Sequence, residues 1–358
     1  MKTSQKKNIS FPWIAHYNYA IKYIVEQGLE QGFIMPPEMT RKTLEIGSRY
    51  SPDTVCTPFK TTLGSMIEAL EAGADTLVMT NGLCRLGYYG ELQEQILHDL
   101  GYEFDFVNLS EYSTGKTKDM LKVIPRFSPK ANVAKLAYVA AEGVRMAEHF
   151  DELVSIYYKN CGFEVNKGDY RRAYSRFVAD MEHAENRKQI EESYNRTKAE
   201  FKAIPIEKEH PIRVGLIGEY FTIMDPFSNL DLEAKLADQG VEVHRWMNIT
   251  NRNLHYGGEK NLNVRIHDLC RFEMGPTSTA NIWCARDYAE RGFDGLIHLK
   301  SAGCTPEIDI MPVLQNIGEQ YKIPILYLTY DVQTSDTGLM TRVEAFCDML
   351  GMRKKVAR

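Results

Sequence analysis

Short apolar runs that alternate with amphipathic helical stretches are the feature that most constrains the fold of this chain. A strand of a parallel sheet is buried on both faces and reads as a continuous apolar run, whereas a connecting helix repeats its apolar residues with a period of 3.6. Runs of the first kind occur at residues 76–80, 104–109, 214–220, 241–247, 295–300 and 323–331. Their alternation with helical patterns predicts βαβ units and therefore an α/β fold with parallel sheets.

A strongly charged stretch separates two groups of predicted strands. Residues 168–202 are rich in Arg, Lys, Glu and Ala and contain no proline, which predicts one or two long, solvated helices. The next segment, 203–211, contains two prolines and leads into a new strand. We therefore expect an N-terminal α/β domain over 1–205, with a helical segment over about 130–205, and a C-terminal α/β domain over 206–358.

Composition and charge argue against several classes of function. Lys and Arg number 43 against 48 Asp and Glu, so no basic surplus favours nucleic acid. The longest apolar runs are far shorter than the roughly 20 residues of a membrane-spanning helix, and the polar start MKTSQKKNIS does not resemble a signal peptide. We expect a cytoplasmic protein that binds neither nucleic acid nor a membrane. Because the chain has no phosphate-binding loop motif, we do not expect it to hydrolyse ATP itself.

Three of the seven cysteines share one predicted setting, a loop that enters a helix at the functional edge of a sheet. Cys56 and Cys304 each begin the tripeptide Cys-Thr-Pro, and proline is favoured in the first turn of a helix. Cys84 follows the predicted strand 76–80 and precedes the cation Arg85. A helix N-terminus and a neighbouring cation both stabilise a thiolate. Each cysteine alone would more often be a small buried apolar residue, but three in matched settings predict a shared metal site.

The other cysteines are weaker candidates. Cys347 falls on an apolar helical stripe and Cys284 lies in a predicted helix, so both are predicted to pack in the core. Cys161 and Cys270 are kept as weaker metal-ligand candidates. The chain has no Cys-x-x-Cys pair and no Cys–His pair at zinc-finger spacing. Thiolates gathered from distant positions favour an iron–sulfur cluster instead.

Five segments carry a resemblance to a known family. They are CTPFKTTLGSMIEALEAGADTLVMTNGLCRLGYYGELQ (56–93), EVNKGD (164–169), GEYFTIMDPFSNLDLEAKL (218–236), HLKSAGCTPEI (298–308) and TGLMTRVEAFCDML (337–350). In this order they resemble the D-component family of 2-hydroxyacyl-CoA dehydratases. The resemblance is closest to the branch related to the dehydratase activases and the double-cubane-cluster proteins.

The resemblance implies two flavodoxin-like parallel-sheet domains joined by a helical segment, with a [4Fe–4S] cluster in the cleft between them. By motif, its ligands are Cys56, Cys84 and Cys304. It also implies dehydration of a 2-hydroxyacyl-CoA after one-electron reduction by a separate ATP-hydrolysing iron–sulfur activator. The alternatives are a low-potential reductase of small molecules with a double-cubane [8Fe–9S] cluster and a non-catalytic electron-transfer subunit. A homodimer, or a heterodimer with a related subunit, is the expected assembly.

Four polar residues near these loops are candidates for catalysis. Glu219 and Tyr220 end the predicted strand 214–220, His298 lies in the strand 295–300, and Glu307 follows the second Cys-Thr-Pro. Such groups could form hydrogen bonds to cluster sulfides or to a substrate carbonyl; the alternative role is that of a helix cap or a surface pair. A third class of function, a small-molecule-binding α/β protein whose cysteines only pack, stays open at this point.

Overall fold

The computed structural model describes residues 6–79, 88–109, 117–251, 254, 259–272 and 274–356. In these parts the chain forms two four-stranded sheets in which every strand pair is parallel, and helices flank each sheet. This confirms the predicted α/β fold with two parallel-sheet domains of flavodoxin type. None of the described helices combines the length and the apolar character that a membrane crossing requires.

The first sheet has the strand order β2-β1-β3-β4. Its strands are β1 (Asn8–Ser10), β2 (Gly32–Phe33), β3 (Thr76–Met79) and β4 (Asp105–Asn108). Its helices are α1 (Tyr17–Tyr23), which continues as one π-helical turn, α2 (Arg41–Tyr50), α3 (Thr57–Glu71), α4 (Tyr89–Asp99) and α5 (Thr117–Phe127). The first two strands were not predicted, because three and two residues are too few to show an apolar run.

Three long helices lie between the two sheets in the sequence. They are α6 (Val133–Asn160), α7 (Asp169–Glu182) and α8 (Arg187–Ala203), with a 3₁₀ turn at Cys161–Phe163 after the first. The last two confirm the predicted helices of the charged stretch 168–202.

The second sheet has the strand order β6-β5-β7-β8. Its strands are β5 (Ile212–Gly218), β6 (Val241–Arg245), β7 (Gly295–Ser301) and β8 (Ile325–Tyr330). The accompanying helices are α9 (Tyr220–Met224), α10 (Leu232–Asp238), α11 (Glu259–Arg265), α12 (Pro276–Glu290), α13 (Thr305–Asp309), α14 (Met311–Tyr321) and α15 (Asp336–Val356).

The internal contacts of the chain divide it into two compact units, each of which contains one sheet. The first unit comprises Met1–Glu148 with Met181–Ile190, and the second comprises His149–Asp180 with Glu191–Arg358. The long helices are therefore divided between the units. The domain boundary after residue 205 stays a prediction.

Both sheets share one topology, which identifies where a ligand would bind. Counted within each sheet, the strand order is 2-1-3-4, as in flavodoxin-type folds. The chain reverses its direction of winding between the first and third strands, that is, between β1 and β3 and between β5 and β7. In open α/β sheets, ligands bind outside the carboxyl ends of the strands at this switch point.

Candidate functional site

Cys56 lies at the carboxyl edge of the first sheet, at the N-terminus of α3. Because α3 leads directly into β3, its C-terminal end lies at the amino end of that strand and its first turn lies at the opposite edge. Cys56 is the N-cap residue, with an extended backbone (φ −68°, ψ 160°), and Pro58 follows in the first turn. The thiol forms a hydrogen bond with the Tyr89 hydroxyl. Tyr89 begins α4, the helix that follows Cys84 in the sequence.

The surroundings of Cys56 are largely apolar. The residue is only 7% exposed and belongs to a buried cluster with Phe59, Leu63 and Met66. The Phe59 ring meets the Tyr89 ring edge-on, with the centroids 4.9 Å apart. Simple packing therefore remains a sufficient role for Cys56, and the hydrogen bond to Tyr89 is its most specific polar contact described.

A very close helix crossing holds α3 in place. A Cβ on Gly47 of α2 would lie 1.7 Å from the Lys60 carbonyl oxygen, and a Cβ on Gly64 of α3 would lie 2.0 Å from the Thr43 carbonyl oxygen. Neither position has room for a side chain. The backbones of α2 and α3 are in contact at these positions, which lie one and two helical turns after Cys56. This contact fixes the direction of the first turn of α3.

Cys84, the second predicted ligand, and Arg85 lie outside the described residues. Their roles stay predictions.

Cys304 occupies the matching helix-entry setting in the second unit. It follows β7 through Ala302 and Gly303, whose φ of +75° suits glycine. The Ala302 amide donates to the Tyr330 carbonyl oxygen at 2.7 Å, which ties the segment to the end of β8. Cys304 is the N-cap of the five-residue helix α13, has an extended backbone, and is half-buried. Its place is therefore the carboxyl end of β7, at the switch point of the second sheet.

A buried polar network lies beside Cys304. The Glu307 carboxylate faces His298 Nε2 at 2.6 Å and accepts a hydrogen bond from Asn281 Nδ2 at 2.9 Å. All three side chains are fully buried. Asn281 also accepts from the Gly218 amide at 2.8 Å, so the network connects the end of β5, the middle of β7 and the first turn of α13. Within the described part of the chain, His298 Nδ1 is buried and has no hydrogen-bond partner.

Glu219 is the N-cap of the short helix α9. Its two carboxylate oxygens accept from the Phe221 amide at 2.8 Å and from the Thr222 amide at 2.7 Å. Burial raises the pKa of Glu219 to about 7; the hydrogen bonds from Thr222 and Phe221 oppose that rise and the charge of Glu307 adds to it. Tyr220, the next residue, is 1% exposed and packs in the core. Glu219 thus has the predicted alternative role of a helix cap, and it also titrates near neutral pH.

The two weaker cysteine candidates both lie in the second unit, and their role as metal ligands stays a prediction. Cys161 lies in the 3₁₀ turn after α6, and burial, with the nearby Glu164 and Asp238, raises the pKa of its thiol to about 12. Cys270 donates a hydrogen bond to the Phe272 carbonyl oxygen at 3.3 Å. Across the residues that the structure describes, no three His, Cys, Asp or Glu side chains form a group that could hold a metal ion.

Cys284 and Cys347 are both buried, as predicted. Cys347 shares a buried stripe of α15 with Val343, Phe346 and Leu350, and the Cys284 sulfur lies 4.0 Å from that of Met247. Burial raises the pKa of the Cys347 thiol to about 11 and that of the Cys284 thiol well above its usual range. Both behave as small apolar residues.

The chemistry of Cys56 and Cys304 fits thiolate ligation. Both have an N-cap position with extended backbone and a proline in the following turn, and a helix N-terminus favours a thiolate. Sequence reasoning missed Asn281, which links Glu307 to β5. Asn281 could have been recognised from the sequence, because it is the single amide side chain in the otherwise apolar stretch 280–285 of a predicted helix.

The chain was also compared with known proteins. No protein-family model matches it, and no curated protein matches it significantly. The resemblance to the dehydratase family therefore depends on the quoted sequence segments alone.

Proposed function

We propose that this chain is an iron–sulfur protein that binds a [4Fe–4S] cluster through Cys56, Cys84 and Cys304 and that acts as a 2-hydroxyacyl-CoA dehydratase component. The observation that carries the proposal is the shared setting of two of these cysteines. Cys56 and Cys304 are each the N-cap of a helix at the carboxyl edge of a flavodoxin-type sheet. Since Cys56 belongs to the first unit and Cys304 to the second, the proposal requires ligands from both units.

Two features of the described residues support this role. One is a hydrogen-bond network that fixes the helix beginning at Cys304, and the other is a glutamate that can exchange a proton near neutral pH. When bound, the cluster would supply one-electron transfer at a potential set by its ligands and their surroundings. Glu307, with His298 and Asn281, fixes the first turn of α13 against β5 and β7. Glu219, whose pKa is raised to about 7, can hold or release a proton near neutral pH at the end of β5.

The proposal includes the partners and the compartment that the chemistry requires. Electrons would come from a separate ATP-hydrolysing iron–sulfur activator, because the chain has no phosphate-binding loop motif of its own. The protein would work in the cytoplasm of an anaerobic cell, as a homodimer or with a related subunit. Its substrate would be an acyl-CoA or another small molecule.

A second candidate function is that of an α/β protein whose cysteines only pack. The observation that favours it is the apolar cluster around Cys56, which is 7% exposed. Two further alternatives, a low-potential reductase with a double-cubane cluster and a non-catalytic electron-transfer subunit, share the iron–sulfur chemistry and differ in iron content or in activity.

Anaerobic purification with iron and sulfide counting separates these functions. We expect a brown protein with about four irons per chain for one cubane, or about eight for a double cubane. An iron-free protein prepared and reconstituted without oxygen would contradict both cluster functions and favour packing. With a cluster present, activator-dependent dehydration distinguishes the enzyme from an electron carrier.

Cysteine variants test the ligand set. Cys56→Ser, Cys84→Ser and Cys304→Ser should each lose most of the iron, because a three-ligand site does not tolerate the loss of one thiolate. Cys347→Ala is the matched control, since that thiol lies in the core stripe of α15, and it should keep the wild-type iron content. Wild-type iron in any of the three serine variants would remove that cysteine from the site.

A further inference from the structure

A pocket of about 380 Å³ lies in the second unit, away from the residues assigned above to cluster binding. The turn after α6 forms one wall and the end of α10 forms the other. The two walls are in backbone contact, because a Cβ on Gly162 would lie 2.1 Å from the Ala237 carbonyl oxygen. The first wall contains the segment EVNKGD (164–169), which the proposed function does not use. The volume is in the range of small-molecule sites.

The carboxylate of Glu164, the glutamate of this segment, accepts hydrogen bonds from backbone amides. Glu164 is 7% exposed, and its two oxygens accept hydrogen bonds from the Gly168 and Tyr170 amides. Gly168 has a φ of +91°, and a Cβ there would lie 3.0 Å from a guanidinium nitrogen of Arg172. The segment is thus a rigid turn that caps α7, and Glu164 is not available to a ligand.

Three cations line the pocket, and two of them form hydrogen bonds only with neutral groups. Arg172 forms an ion pair with Asp169. Lys167 Nζ donates to the Gly162 carbonyl oxygen at 3.0 Å, while the hydrogen-bond partner of Arg171 is the phenol of Tyr157. In the part of the chain that the structure describes, neither Lys167 nor Arg171 forms an ion pair with a carboxylate.

The opposite wall presents one acid, Asp238, which attracts Arg171: the pKa of Arg171 is raised first by its hydrogen bond with Tyr157 and also by the charges of Asp238 and Asp231. Asp238, the last residue of α10, lines the pocket and is exposed. It too forms no ion pair among the residues described. The pocket therefore has two cations on one wall and one carboxylate on the other, and none of the three is in a direct ion pair among the residues described.

We infer that this pocket binds an acidic α-amino acid. Such a ligand has two carboxylates and one ammonium group, which complement Lys167, Arg171 and Asp238 in number and in sign. A simple dicarboxylate would bring two negative charges beside Asp238 and offer that carboxylate no cation to contact, and juxtaposed like charges are unfavourable. The inference is independent of the proposed cluster, because it uses none of the three predicted cluster cysteines.

Calorimetric titration of the full-length protein with L-glutamate and with glutarate tests this inference. Glutarate has the same two carboxylates but no ammonium group. The wild type should bind L-glutamate at millimolar or lower concentrations, about tenfold more tightly than glutarate, because one charge-assisted contact is lost with glutarate. Asp238→Asn should abolish this preference, and Lys167→Ala should weaken both ligands by about tenfold.

Controls keep the outcome specific. Lys202→Ala removes an exposed lysine of the same unit outside the pocket and should bind as the wild type does. All variants should keep the wild-type iron content and unfolding midpoint, so that failure of this inference is separate from failure of the cluster proposal. Absence of L-glutamate binding, equal binding of the two ligands by the wild type, or an unchanged preference in Asp238→Asn would overturn the inference. Tighter binding of inorganic phosphate than of L-glutamate would overturn it as well.

Discussion

Replacing Glu307 by alanine should destabilise the second unit by about 2–6 kcal/mol. The side chain is fully buried and takes contacts from His298 Nε2 at 2.6 Å and from Asn281 Nδ2 at 2.9 Å. Alanine leaves both nitrogens buried without an acceptor, and each such loss costs about 1–3 kcal/mol. Glu307→Gln keeps the volume and one acceptor oxygen, so its cost should be roughly half as large.

Urea unfolding followed by tryptophan fluorescence measures this cost. Trp246 and Trp283 both belong to the second unit and lie with their ring centroids 4.9 Å apart, whereas Trp13 belongs to the first. A Trp13→Phe background therefore reports on the second unit alone. Asp309→Asn is the matched control, because Asp309 is an exposed acid of the same short helix. It should change the stability by no more than about 0.5 kcal/mol.

Two results would refute this reasoning. The first is a loss of less than about 1 kcal/mol in Glu307→Ala, which would show that the buried nitrogens find water or other acceptors. The second is strict additivity of Glu307→Ala and His298→Ala in a double-mutant cycle. Residues that share a buried hydrogen bond should instead show a coupling of about 0.5–3 kcal/mol.

Three further predictions concern single residues. Because burial raises the pKa of Glu219 to about 7 from 4.5, the folded protein keeps a proton that the unfolded chain loses between these pH values. The free energy of unfolding should therefore fall by about 3 kcal/mol as the pH rises from 4.5 to 7. The same decline in a Glu219→Gln variant would contradict this assignment. Gly64→Ala should cost at least about 2 kcal/mol in urea unfolding, because its Cβ would collide with a carbonyl of α2. In contrast, Gly338→Ala, whose Cβ has room in α15, should be neutral or stabilising by up to about 1 kcal/mol. The pKa of the Cys161 thiol is raised to about 12. At pH 8 this thiol should therefore react with iodoacetamide at least about a hundredfold more slowly in the folded than in the unfolded protein. Equal rates in the two states, measured by mass spectrometry, would show that the thiol is not shielded.

Several parts of the candidate site could be predicted from local sequence. Cys-Thr-Pro predicted that Cys56 and Cys304 begin helices, and both are N-caps. The helical period predicted that Cys347 packs in the core, and it is buried. These predictions hold because capping, proline in a first turn and apolar periodicity depend on a few neighbouring residues.

Other features depend on residues that are distant in the sequence. β1 and β2 are too short for an apolar signal and form because their backbones pair with each other and with β3. Asn281 joins Glu307 only because the sheet brings the end of β5 and the first turn of α13 beside α12. The raised pKa of Glu219 likewise needs the surrounding core, since burial is its main cause.

Local sequence patterns were enough to predict alternating strands and helices, and from them parallel sheets, because a strand buried on both faces must be apolar along its whole length. They also predicted that Cys56 and Cys304 begin helices and that Cys347 lies on an apolar stripe. The meeting of Glu219, Asn281, His298 and Glu307 at the β5–β7 switch point depends instead on tertiary packing. Their hydrogen bonds and electrostatic coupling depend on distances of a few ångströms between residues that are nine positions apart in the nearest hydrogen-bonded pair and 63 apart in the most distant one.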